Sequence, residues 1–184
     1  MKKLLLITGD LACGKSTFAK ILSKRYDTNL FYKDSIKEAL GDTIGYSNRE
    51  ENLKLSKAAV ELMTLIFSEF AALGKPLILE ANFHTHELEK LHEIAAGSGY
   101  DVLTLVFRAD THLLHERYLY RIAHENRHPV HVIAVLDDYI DFAEYIGKAR
   151  SEFVPGETMR IDADDFSYQT DGELLKRLDE FMLN

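Results

Sequence analysis

A chain of 184 residues, 46% hydrophobic and 28% charged, suits one domain with a substantial core and excludes a disordered polymer. Its formal charge of −8 argues against a long polyanionic partner, because the mean force is repulsive and the longest basic clusters are only Lys2-Lys3 and Lys24-Arg25. The single cysteine, Cys13, excludes an internal disulfide and fits a reducing cytoplasm, and no apolar run nears the roughly 20 residues that cross a bilayer.

In chain order, Lys3–Thr8 reads as a strand buried on both faces. The apolar run that opens the chain is too short for a signal peptide and leads into Thr8-Gly9-Asp10 rather than a cleavage site. Lys15–Tyr26 is helical, Asn29–Tyr32 a second strand, and Ser35–Leu40 a short helix. A long helix should start near Ser47, on a Ser–Glu pair at capping-box spacing, and stop at Gly74-Lys75-Pro76. Its apolar residues wrap widely, which predicts packing on more than one side. Leu77–Leu79 is a third strand ending at Glu80, His86–Ala96 is helical, and Val102–Phe107 is a fourth strand. Thr111–Asn126 and Val132–Ala149 are helical, Met159–Ile161 is a weak fifth strand, and Gly172–Met182 closes the chain as a helix. Strands alternating with helices imply a three-layer α/β sandwich, a parallel sheet covered on both faces. Ligands of such sheets sit beyond the carboxyl ends of the strands, where Gly9, Asp34, Glu80 and Arg108 fall.

Gly9-Asp10-Leu11-Ala12-Cys13-Gly14-Lys15-Ser16, continued by Thr17, satisfies G-x-x-x-x-G-K-[ST] between a strand and a helix. Glycines let successive N–H groups turn inward on phosphate oxygens, and the following helix adds its positive terminus. Lys15 would reach the β- and γ-phosphates of ATP and the Ser16 hydroxyl would bind Mg²⁺. Cys13 lies beside a helix N-terminus and Lys15, both of which favour a reactive thiolate; a small residue filling the loop is the ordinary alternative.

Asp34 has two readings, an N-cap for the helix at Ser35 or a carboxylate that takes the proton of an acceptor hydroxyl, and one residue could do both. Glu80 either orients Mg²⁺ through water, acts on the acceptor, or caps the next element. Arg117 and Arg121 share a helix face, with Arg127 at its exit beside His128-Pro129. Such arginines either stabilise the charge of phosphoryl transfer or form a solvated, salt-bridged face. His84 and His86 follow Glu80 but lack the further convergent ligands a zinc site needs, and His124 and His128, four apart, are followed by Pro129, which breaks the geometry they would need.

Together Gly9–Thr17, Lys33-Asp34 with Ile36-Lys37, Leu79-Glu80-Ala81-Asn82-Phe83 and Arg117…Arg121…Arg127-His128-Pro129 resemble the predicted small P-loop kinases. That group is similar to polynucleotide 5′-kinases, zeta-type toxins and chloramphenicol phosphotransferases. The resemblance spans Lys3 to Ile161 and implies a P-loop NTPase fold with a five-stranded parallel sheet and an arginine-bearing lid at about 110–131. It also implies that Asp34 is the acceptor-side base, that Arg117 lies on the adenine side, and that Arg121 and Arg127 act on the phosphates. Lys33-Asp34-Ser35 departs from several relatives in lacking a second acid and a nearby arginine. The expectation is a single-domain ATP- and Mg²⁺-dependent kinase for a hydroxyl of a small molecule, with a nucleotide or a polynucleotide 5′ end as the alternative acceptor. A non-catalytic nucleotide-binding switch is the reading from another class, although no Asn-Lys-x-Asp string for guanine occurs.

Overall fold

β1 (Lys3–Gly9) lies at the middle of a five-stranded parallel sheet whose order is β2-β3-β1-β4-β5. The computed structural model describes residues 2–131 and 134–184. The other strands are β2 (Asn29–Tyr32), β3 (Leu77–Glu80), β4 (Asp101–Arg108) and β5 (Glu157–Asp162). Among the described residues seven α-helices accompany them: α1 (Lys15–Arg25), α2 (Lys33–Ile44), α3 (Arg49–Leu73), α4 (Thr85–Ser98), α5 (Thr111–His124), α6 (Tyr139–Arg150) and α7 (Gly172–Leu183). This is the α/β P-loop NTPase architecture, with helices on both faces of the sheet.

Period-two alternation sends neighbouring residues of β1 to opposite layers. Leu5 and Ile7 enter a core with Phe18 and Leu22 of α1, Leu114 and Tyr118 of α5, Phe142 of α6 and Leu178 of α7. Leu4 and Leu6 enter the other, with Met63 and Phe67 of α3 and Leu88 and Leu91 of α4. All four β1 leucine and isoleucine side chains are fully buried, each contributing about 1.5–3 kcal/mol of transfer free energy. That burial explains the unbroken apolar run in the sequence.

Several expected boundaries move for local reasons. α2 starts at Lys33 and runs to Ile44, so Asp34 lies in its first turn and the capping position is Tyr32, which makes no side-chain capping bond. The N-cap reading of Asp34 is therefore overturned. α3 is capped by Asn48, whose Oδ1 accepts from the Glu51 amide at 3.0 Å, while Glu51 reaches back to the Ser47 amide at 2.6 Å. The cap thus sits one residue later than the Ser47–Glu50 spacing implied, and it is not a reciprocal box, because Glu51 accepts from the amide before the capping residue rather than from Asn48 itself. α3 does pack against α2, α4 and β3, yet Leu53 and Leu62 stay exposed, so its apolar surface exceeds what the neighbours cover. The helix expected from Val132 starts at Tyr139 instead, because Asp138 caps it, accepting from the amides of Ile140 and Asp141; Val132 and Ile133 lie outside the described residues.

β1 is the topological switch point: the chain leaves it towards β2 and β3 on one side and later adds β4 and β5 on the other. The crevice this opens beyond the strand ends is where an α/β sheet binds ligand. Among the described residues no helix is long and apolar enough to cross a membrane.

Candidate functional site

Beyond the tip of β1 the backbone turns on Gly9, whose φ is 122° and whose missing Cβ would strike the carbonyl of Phe107. Only glycine permits that approach. The Asp10 amide donates to the same carbonyl at 2.9 Å, which fixes the loop's first leg to β4. Ala12 (φ 62°) and Gly14 (φ 83°) are left-handed, and Gly14 delivers the chain into α1. This is the cradle geometry that the motif spacing calls for.

Inside the cradle, Lys15 is 7% exposed and its Nζ donates to the carbonyls of Gly9 at 3.1 Å and Asp10 at 2.6 Å. Burial alone would lower its pKa, but the negative charges available on Cys13, Glu80, Asp34 and Asp10 hold it raised, so the ammonium stays charged. Ser16 Oγ donates to Glu80 Oε2 at 2.8 Å. Burial pushes the Glu80 carboxyl upward, against the pull of Lys15 and the Ser16 hydroxyl. The helix-capping reading of Glu80 does not hold, since it ends β3 inside the site. A serine hydroxyl beside a carboxylate is a hard-oxygen pair that fits Mg²⁺. Among the described residues no group of three or more His, Cys, Asp and Glu side chains could hold a metal by itself, so Mg²⁺ would need phosphate oxygens and water as further ligands.

Of the two readings of Cys13, the loop-filling residue holds and the reactive thiolate does not. Its thiol is fully buried, donates to the Asp10 carbonyl at 2.8 Å, and has its pKa raised because burial outweighs Lys15. It fills the loop.

Two supports of this loop were missed in the sequence. The Asp10 carboxylate, 2% exposed, is gripped by Arg150 at the end of α6, with Nη2 to Oδ2 at 2.6 Å and Nε to both oxygens at 3.2 Å. Tyr168, just after β5, donates its hydroxyl to the Cys13 carbonyl at 3.1 Å and closes over Gly14. Neither partner is local, so no spacing rule could have exposed them.

A cleft of about 1700 Å³ opens from this loop and is lined by Asp34, Glu80, Arg108, Arg117, Arg121 and Arg127, whereas His124 and His128 lie outside its lining. Lysines and arginines outnumber acids along its wall although acids dominate the chain. Asp34 projects from the first turn of α2 with its side chain 54% exposed, 3.8 Å from His131 Nδ1. Glu38, one turn on, meets His131 Nε2 at 2.9 Å, and Asp42 meets His128 Nε2 at 2.9 Å. His128 thus faces α2 rather than the phosphate loop. His84 caps α4, pairs with Glu152 at 2.9 Å and stacks on His86 in the first turn of that helix, so both belong to a helix start rather than a loop.

The three lid-side arginines have separate surroundings despite their shared origin. Arg117 donates to the carbonyls of Ala163 and Asp164, both at 2.7 Å, and lies over the Phe166 ring. Arg121 pairs with Glu125 one turn along α5 at 3.0 Å, a salt-bridged helix face as the ordinary reading foresaw. Arg127 is partly buried, and burial followed by the nearby Arg121 charge lowers its pKa.

Comparisons with known proteins agree with this geometry. A family model described as AAA domain (AAA_33) matches residues 4–144. A solved structure provisionally named a kinase, from Chloroflexus aurantiacus j-10-fl, is 26% identical with a TM-score of 0.79, each chain covered over 97% of its length. A gluconokinase from Sinorhizobium meliloti 1021 is 14% identical with a TM-score of 0.61, covering 97% of this chain and 94% of that one. The tunicamycin resistance protein of Deinococcus radiodurans is 18% identical with a TM-score of 0.62, covering 97% and 95%. A search of curated protein sequences finds no match. Since the matched span takes in the phosphate loop, both carboxylates and all three arginines, the chain belongs to this AAA-domain family, as a P-loop domain of kinase-like fold.

Proposed function

We propose that the chain is an ATP-dependent kinase that transfers the γ-phosphoryl group to a hydroxyl of a small molecule. The observation that carries this reading is the opening of Lys15, the Ser16–Glu80 pair and Asp34 onto one continuous cleft. A binding module would need the first two but has no use for a half-exposed carboxylate across the cleft from them.

The loop amides and the α1 N-terminus bind the triphosphate, and Lys15 exchanges its two loop carbonyls for phosphate oxygens. Ser16 and Glu80 would hold Mg²⁺, which would supply positive charge at the phosphates. Asp34 accepts the proton of the incoming hydroxyl and aligns it for in-line attack. Arg117, already packed on Phe166, forms one wall for the base. Arg121 leaves Glu125 and, with Arg127, neutralises charge on the transferring group while the segment they occupy excludes water.

Labelled ATP offered with hydroxyl-bearing metabolites, antibiotics, nucleosides and 5′-hydroxyl oligonucleotides tests the reading. Transfer to a small molecule well above the rate of ATP hydrolysis is expected. Binding of ATP without transfer to any of them would return the chain to the nucleotide-operated switches.

A further inference from the structure

The wall of the cleft formed by α2 and α3 carries cations that form no ion pair among the described residues, namely Lys33, Lys37, Arg49 and Lys57. The acids beside them on α3 are already engaged, Glu50 with Lys54 at 2.9 Å and Glu61 with Lys90 at 2.6 Å. Lys37 is the exceptional member. It is only 8% exposed, and its ammonium donates to two neutral oxygens, Asn52 Oδ1 at 2.7 Å and the Val130 carbonyl at 3.1 Å. An ammonium has three protons to donate, so one is left over. Burying a cation without a directly paired counter-charge is costly, and burial, then Lys33, bring its pKa down to about 8 against the pull of Asp34.

A structural tie between α2, α3 and the Pro129–His131 turn does not account for that charge, because Asn52 Nδ2 already reaches the Val130 carbonyl at 3.0 Å. A neutral side chain would serve such a tie at lower cost. An anion arriving in the cleft would supply the missing partner.

We propose that this wall is a subsite for an anionic group on the acceptor, a carboxylate or a phosphate, with Lys37 at its floor and Arg49 and Lys57 at its rim. The assignment rests on the kinase reading and narrows its substrate class. Asp34 and Lys37 lie three residues apart on one helix, about 5–6 Å between Cβ atoms. The hydroxyl that meets Asp34 and the group that meets Lys37 therefore belong to one small molecule, such as a hydroxy acid, a sugar acid or a sugar phosphate. Lys33, at the start of α2, extends the positive field towards the phosphate loop.

The test begins with calorimetry of ATP and Mg²⁺ on the wild-type chain, since failure there removes the kinase reading itself. With a non-hydrolysable ATP analogue bound, gluconate and glycerate, then glucose 6-phosphate and glycerol 3-phosphate, are titrated against sorbitol, glucose and glycerol. At least one anionic arm binds about tenfold or more tighter than its neutral counterparts, and added salt weakens it. The two arms decide between carboxylate and phosphate. Lys37→Gln removes the preference. Because that change also touches the tie to α3, the exposed pair Arg49→Gln and Lys57→Gln provides the second reading. Together these raise the dissociation constant or acceptor KM about three- to tenfold with kcat within about twofold. Equal binding of neutral and anionic compounds, or no loss in the Arg49 and Lys57 variants, overturns the proposal while leaving the kinase reading in place.

Discussion

On the nucleotide side of the cleft the loop that would meet phosphate is locked before any ligand arrives: Asp10, Cys13 and Lys15 are 2%, 0% and 7% exposed, and the loop is bolted to β4, α6 and Tyr168. On the acceptor side Asp34, Arg49 and Lys57 stand in solvent on helix surfaces, and Lys37 alone is sunk between elements. The first half is preorganised by backbone geometry and buried polar bonds, so folding and phosphate binding share the same interactions. The second is assembled from side chains that can be exchanged without disturbing the sheet, which is where specificity can vary at little structural cost. Damage to the first half should therefore cost stability and nucleotide binding together, whereas damage to the second should cost only the acceptor step.

The sharpest break in that contrast is Lys15→Ala. It removes the ammonium of the cradle, and transfer should fall by about 10³-fold or more with a large rise in the ATP dissociation constant, read by calorimetry and labelled transfer. Asp34→Asn is next. Loss of the proton acceptor should cost about 10²–10⁴-fold in kcat while ATP affinity stays within about twofold, and normal turnover would remove Asp34 from the chemistry. Arg150→Met should lower stability by about 3 kcal/mol, near the lower end for a broken buried pair because Arg150 is 29% exposed, and should raise the KM for ATP more than it lowers kcat. An unchanged denaturation midpoint would show that the loop does not lean on α6.

The smallest expected effect is a pH profile. Lys37 is held near 8, below the ordinary lysine value, by burial and Lys33 and despite Asp34; Glu38 and His131 also stand close by. Its charged form is thus disfavoured in the folded chain. Stability should rise between about pH 8 and 10.5, where the unfolded chain carries the proton and the folded one does not, and the gain is lost as pH falls through 8. Acceptor capture runs the other way: kcat/KM for an anionic acceptor should decline as pH rises through about 8, and Lys37→Gln should flatten that limb.

The amino-acid sequence by itself determined the phosphate loop and the sheet it hangs on. Gly9, Gly14, Lys15 and Ser16 act through positions fixed within eight residues, and the apolar run of β1 states directly that both faces are buried. Asp34, Glu80 and the arginines could be placed at strand ends and on helix faces for the same local reason. What they touch could not: Arg150 reaches Asp10 across 140 positions, Tyr168 reaches Cys13 across 155, and Val130 reaches Lys37 across 93. Which of the two readings of Cys13 holds was decided by burial, a property of the assembled layers, which outweighs the nearby cation. Local backbone chemistry writes the cradle into the chain. The strand order, the partner of each buried charge and the cationic acceptor wall exist only once distant helices are packed against the sheet, because burial and long-range pairing are properties of that packing.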